Sequence, residues 1–109
     1  MTYLVYTVRM TSAARRDLGA FWRWVKERDN WFYKDLPMVK RVRRYVTGVG
    51  DINTVEIWQE FEDLCAYAAY VEKVAELRRD PQWEKRRVEQ EQYWEFLGNR
   101  VLSEAPLPS

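Results

Sequence analysis

The chain has no histidine and one cysteine, Cys65. The first absence excludes, within this chain, a proximal-histidine haem, a histidine-ligated zinc and a Ser-His-Asp triad. Proton transfer falls to Asp, Glu, Tyr, Lys or Arg. A lone cysteine excludes an internal disulfide and a thiolate metal cluster. Cys65 sits early in a helix, where a thiol pKa can fall, but the expectation is a small buried hydrophobe. No metal and no cofactor are therefore expected. No apolar run approaches the roughly 18 residues of a spanning helix, so no membrane partner is expected. Charge of one sign is also lacking: 18 basic against 17 acidic side chains leave a net +1. A duplex-binding domain shows a basic excess. Arginines interleaved with aromatics can hold a single strand, but the acidic balance reads as solvated helix faces, and no nucleic acid is expected. The start, MTYLVYTVRM, has no basic region and no small-residue cleavage pattern, which reads against a secretory leader. A cytoplasmic location is the expectation.

What is present is a core-forming chain of 109 residues, 47% hydrophobic and 32% charged, which places it among ordinary globular domains. Residues 1–105 read as one domain and 106–109 as a tail. Six Trp and seven Tyr are many for an interior this small, so some should line a cavity or a subunit interface.

Periodicity gives the order of elements. Tyr3 to Met10 alternates as a strand, with Leu4, Tyr6, Val8 and Met10 as its apolar set. Leu18, Phe21, Trp22 and Val25 mark an amphipathic helix ending between Arg28 and Trp31. Phe32 to Pro37 reads as a loop. Val39 to Val49 is a strand carrying Val42 and Val46 on one face and Arg41, Arg43, Tyr45 and Thr47 on the other. Arg44 then falls among the valines, which suggests a bulge or an edge position. A turn punctuated by Gly48, Gly50, Asp51 and Asn53 leads to a third strand through Phe61. The second main helix starts at Glu62 or Asp63 and runs to about Arg79, with Leu64, Tyr67, Ala68, Val71 and Ala75 as the expected buried stripe. Asp80-Pro81 restarts a short helix anchored by Trp83. Gly98 to Glu104 reads as the last strand. The order is β-α-β-β-α-β with an extra helix, an α+β ferredoxin-like unit.

The third strand is the candidate site. Val55, Ile57 and Phe61 suit a face under helices. The opposite face carries Glu56 and Glu60 around Trp58. The two carboxylates are about 13 Å apart along a strand, too far for a coupled dyad. In an aromatic cavity one of them would have a raised pKa and act as acid or base. In the plainer reading they neutralise Arg41 and Arg43 across the strand pair. Trp58 suits stacking on a flat ligand or the centre of a dimer interface. Asn53 suits a carbonyl or oxyanion, or simply a turn. Tyr6, Tyr45 and Tyr70 are possible proton donors.

The runs TGVGDINTVEIWQEFED (Thr47 to Asp63), RRDPQWEKRR (Arg78 to Arg87) and NRVLSEAPLP (Asn99 to Pro108) resemble the NIPSNAP-type branch of the dimeric α/β-barrel superfamily. The resemblance covers about the C-terminal 60% of the chain. It implies a homodimer whose sheets pack face to face as a barrel. The superfamily includes cofactor-free monooxygenases, haem-degrading oxygenases and polyketide cyclases or isomerases. Where the monooxygenase branch often has a histidine, rough spacing puts Tyr70, which argues against haem chemistry. Two readings stay open. One is a cofactor-free enzyme on an aromatic, polyketide-like or anionic small molecule, with Glu56 and Tyr70 catalytic and Trp58, Arg43, Tyr45, Asn53 and Glu60 binding substrate. The other is a non-catalytic binding or assembly module whose sheet face is dimer core. Both expect self-association: sedimentation at micromolar concentration should give one species of twice the chain mass, and a clean monomer would refute it.

Overall fold

The computed structural model describes residues 1–108. Its strands are β1 (Thr2–Met10), β2 (Arg41–Val46), β3 (Thr54–Phe61) and β4 (Trp94–Ser103). Its helices are α1 (Ser12–Arg16), α2 (Leu18–Phe32), α3 (Leu64–Leu77) and α4 (Pro81–Glu89), with a 3-10 turn at Gln90–Gln92. The strands form one antiparallel sheet in the order β2-β3-β1-β4. With β1 and β3 central and helices after β1 and β3, this is the ferredoxin-like fold.

Alternation sorts the central strands. Leu4, Tyr6, Val8 and Met10 of β1 and Val55, Ile57 and Phe61 of β3 are buried under the helices. Burying each such aliphatic or aromatic side chain stabilises the fold by about 1.5–3 kcal/mol. Phe21, Val25 and Phe32 of α2 and Trp83 of α4 close the core from above. The Trp83 ring meets Trp31 and Phe32 at 5.9 and 5.4 Å.

Side-chain caps start each helix. Thr11, Asp17, Asp63 and Asp80 accept bonds from Ala14, Ala20, Ala66 and Gln82 backbone N–H groups. Pro81 occupies the first turn of α4, where its missing N–H costs nothing. Gly50, at φ 112°, takes the left-handed position in the β2–β3 turn.

The structure departs from expectation in several places, and β2 is shorter at both ends than the expected Val39 to Val49. The α2 helix continues to Phe32, because Phe32 lies one turn beyond Arg28 on the buried side. The α3 helix is rotated: Leu64, Ala68, Val71 and Ala75 are exposed, while Tyr70 is buried and Ala66, Tyr67, Val74 and Leu77 pack against the core. Apolar residues surround this helix on several sides, so spacing alone did not choose between them. Cys65 is exposed on it rather than buried. The last strand begins at Trp94, four residues before Gly98, because a bulge interrupts its alternation.

Arg44 is on the helix side of edge strand β2, between Val42 and Val46, and pairs with Asp29 of α2. An ion pair under the helix is what lets a cation stand in an apolar register.

Two substitutions test this account by urea unfolding. Ile57→Ala, at a fully buried position, should cost about 2–5 kcal/mol. Asp63→Ala, which removes the α3 cap, should cost about 1 kcal/mol.

Candidate functional site between the sheet and the helices

The sheet has two chemically different faces. The face away from the helices carries five of the residues expected in a site. Strand register sets Tyr45 opposite Glu56, Arg43 opposite Trp58 and Arg41 opposite Glu60. Tyr3 and Tyr45 meet Trp58 edge to face at 5.8 and 5.9 Å. The Trp58 indole donates to Glu56 Oε1 at 3.3 Å. Glu56 also receives Arg100 Nη2 of β4 at 3.4 Å, and Glu60 lies 4.0 Å from Arg41. Each carboxylate is thus partnered by a cation. Arg43 belongs to the same face, where the neighbouring Tyr45 raises its pKa. Asn53 stands at the mouth of the β2–β3 turn. Its carbonyl accepts from Met10 N–H and its N–H donates to Asp51, so its backbone is engaged in the turn and in the end of β1. A shallow groove of about 360 Å³ marks this face, between Val5, Thr7 and the Leu97–Arg100 stretch.

The larger cavity, about 760 Å³, is on the opposite side of the sheet, over the β1–β4 half. Tyr70 lines it; Glu56 does not. The two residues expected to move protons in one site are therefore separated by the sheet itself. The reason is parity: Glu56 is on the even, outward register of β3, while Tyr70 hangs from α3 above the inward register. The cavity walls are Tyr67, Tyr70 and Val74 of α3, Phe32 of α2, and Trp94 and Phe96 of β4. The floor is Leu4 and Tyr6 of β1. Val71 and Phe96, both exposed, form its rim.

One residue in the wall was not anticipated. Arg28 of α2 is 3% exposed. Its Nε donates to Gln90 Oε1 at 2.7 Å, and its Nη1 donates to Asp29 Oδ1 at 3.3 Å and to the Tyr33 hydroxyl at 3.4 Å. Its guanidinium also stacks over Phe32, 3.9 Å from the ring centre, with Trp94 at 5.1 Å. Burial alone would lower its pKa, but the Tyr6 and Tyr33 hydroxyls outweigh that and hold it above its ordinary value. A signal for it was present in the sequence. Phe21, Val25, Arg28 and Phe32 follow the i, i+4, i+7, i+11 rule of a buried stripe, so Arg28 is a charge in a core position.

The hydroxyls around it are proton donors. Burial pushes Tyr70 up to about 12, and burial with the nearby Tyr6 pushes Tyr33 well above its ordinary value. The Tyr6 and Tyr33 hydroxyls lie 3.3 Å apart. Beneath Tyr70, Gln59 is fully buried, and neither of its amide atoms has a hydrogen bond of proper geometry, although the Tyr70 hydroxyl is its polar neighbour. A cation and neutral hydroxyls can together polarise or neutralise a ligand oxygen. Among the described residues no cluster of His, Cys, Asp and Glu could hold a metal ion.

No family model and no curated protein matches the sequence. Solved structures match it in fold. An uncharacterized NIPSNAP domain protein from Burkholderia xenovorans is 22% identical with a TM-score of 0.67, over 100% of this chain and 99% of that one. A NIPSNAP family protein from Agrobacterium tumefaciens is 16% identical with a TM-score of 0.65, over 98% and 89%. HapK of Hahella chejuensis is 18% identical with a TM-score of 0.63, over 100% and 97%. The chain has the NIPSNAP-type fold. At these identities the likeness concerns architecture, and it extends to the N-terminal strand and helix, where the sequence runs carried no resemblance. A NIPSNAP-type fold does not by itself specify chemistry. That rests on the cavity residues.

Tyr70 offers a pH test. A phenol whose folded pKa exceeds the unfolded value of about 10 contributes fully below pH 10, and the contribution is lost as pH rises toward the folded value of about 12. Unfolding free energy measured from about pH 9 to about pH 12 should fall less steeply in Tyr70→Phe than in the parent. Equal slopes would mean that Tyr70 is not buried as described.

Proposed function

We propose that this protein binds a small aromatic or polyketide-like molecule in the cavity between sheet and helices. The carrying observation is the cavity itself: about 760 Å³, walled by aromatic rings, with Arg28 and the Tyr6 and Tyr70 side chains among its lining. That volume and mixture are those of ordinary small-molecule sites. Tyr70 keeps its place in the proposal as a hydrogen-bond donor. Arg43, Tyr45, Trp58, Glu56 and Glu60 serve assembly instead, as the outward face of a homodimer closed into a barrel. Edge strand β2, an exposed Tyr45 and a hairpin with Val46, Val49 and Ile52 in water support that assembly.

If the site is catalytic, its groups suit stabilisation of an enolate or phenolate oxygen, as a cyclase or isomerase needs, without cofactor. A second reading, binding or assembly without catalysis, is favoured by one observation. The carboxylates best placed by sequence, Glu56 and Glu60, are each paired with an arginine.

Calorimetric titration with 2-naphthol tests the cavity. Val74→Trp, which fills it from α3, should weaken binding by at least about tenfold, the scale of a lost buried ring contact. Trp58→Ala should leave the affinity unchanged and weaken self-association. Loss of binding in Trp58→Ala with full binding in Val74→Trp would place the site on the outward face.

A further inference from the structure

The buried charges beside the cavity do not balance. Arg28 of α2 and Arg44 of β2 both pair with one carboxylate, Asp29. Arg28 is 3% exposed, Asp29 19% and Arg44 28%, so water screens this trio poorly. The trio carries a net +1. The remaining neighbours of Arg28, namely Gln90, Tyr6, Tyr33 and the rings of Phe32 and Trp94, are neutral. Burial, with Arg28 nearby, lowers the pKa of Arg44, which records the crowding of two cations.

The other charges facing the cavity are at its rim. Arg78 and Arg87 pair with Glu84, and Glu91 and Glu95 are exposed. Water screens them, so they do not offset a cation in the wall. The Nη2 of Arg28 donates in none of the bonds that hold its Nε and Nη1. The Tyr6 hydroxyl lies beside the same guanidinium, and Arg28 lines the cavity.

We propose, building on the cavity reading, that the ligand carries a single negative charge and sets its anionic oxygen against Arg28 Nη2. The aromatic walls call for a ring next to that oxygen. The class is an aromatic carboxylate or a stabilised enolate, with Tyr70 donating from α3 and the ring lying between Phe32, Tyr67 and Trp94. A neutral molecule of the same shape would fill the walls and leave the cation uncompensated. An inorganic anion would do the reverse.

Matched probes test this on the full chain: 2-naphthoate and its neutral isostere 2-naphthamide, by calorimetric titration. In the unaltered protein the carboxylate should bind about tenfold or more tightly than the amide, the scale of one charge-assisted hydrogen bond. Arg28→Met should bring the ratio near one by weakening the carboxylate alone, and Arg28→Lys should keep most of it. Equal binding of the two probes to the unaltered protein overturns the charge proposal and leaves the cavity reading standing. Failure of both probes to bind overturns both. The two probes on the unaltered protein decide the matter even if Arg28→Met does not fold.

Discussion

The helix side of this molecule depends on one carboxylate shared between two guanidiniums. Asp29 on α2 receives Arg28 from its own helix and Arg44 from the edge strand β2. It therefore holds together the helix, the sheet edge and, through the bond from Arg28 to Gln90, the turn leading into β4. Burying charge costs several kcal/mol per ion unless geometry repays it. Without Asp29, two cations would face each other beneath α2. That constraint explains why an arginine can interrupt the valines of β2, and why a second one can stand in the core stripe of α2. The positive character of the cavity wall follows from the same arrangement.

The sheet acts as a septum between two kinds of surface. On one side, arginines and glutamates alternate around Trp58 and satisfy one another. On the other side, the polar groups are few and withdrawn from water, and several remain short of partners. Gln59 and Tyr70 meet there, as do Tyr6 and Tyr33. A side chain paired at a surface is worth little and is easily replaced. A polar group buried without its partner carries a larger cost, which a ligand can relieve. The asymmetry between the faces is the reason for placing recognition on the helix side and assembly on the other.

Much of the fold was legible because the central strands keep strict parity. Leu4, Tyr6, Val8 and Met10, and Val55, Ile57 and Phe61, point where a period of two sends them. Capping residues and Asp80-Pro81 were equally readable, since each acts through local bonds. Legibility failed where the deciding contact was distant in sequence. Nothing near Arg44 announces Asp29. The rotation of α3 was hidden by apolar residues on too many of its sides. The candidate site was placed on Glu56 and Trp58 because carboxylates around a tryptophan look unusual on a strand. The sequence could not show that Arg100, more than forty residues away, would answer one of them. Arg28 was readable as a charge at a core position, but its significance needed the cavity.

The bulge in β4 has a wider meaning. Thr7 pairs with Gly98 and Val8 with Phe96, so Leu97 is the extra residue between them. Counting back from Asn99, which shares the Tyr6 position on the helix side, unbroken alternation would turn Leu97 and Glu95 toward the cavity. The inserted residue turns Phe96 and Trp94 there instead. The aromatic wall is thus set by a matter of counting rather than by the kind of side chain. Loss of the bulge at unchanged strand length would exchange two rings for an aliphatic side chain and an acid, whereas deletion of Leu97 would keep both rings inward. Such a slip of register would re-equip the cavity in one step, where substitution of the two rings would need two.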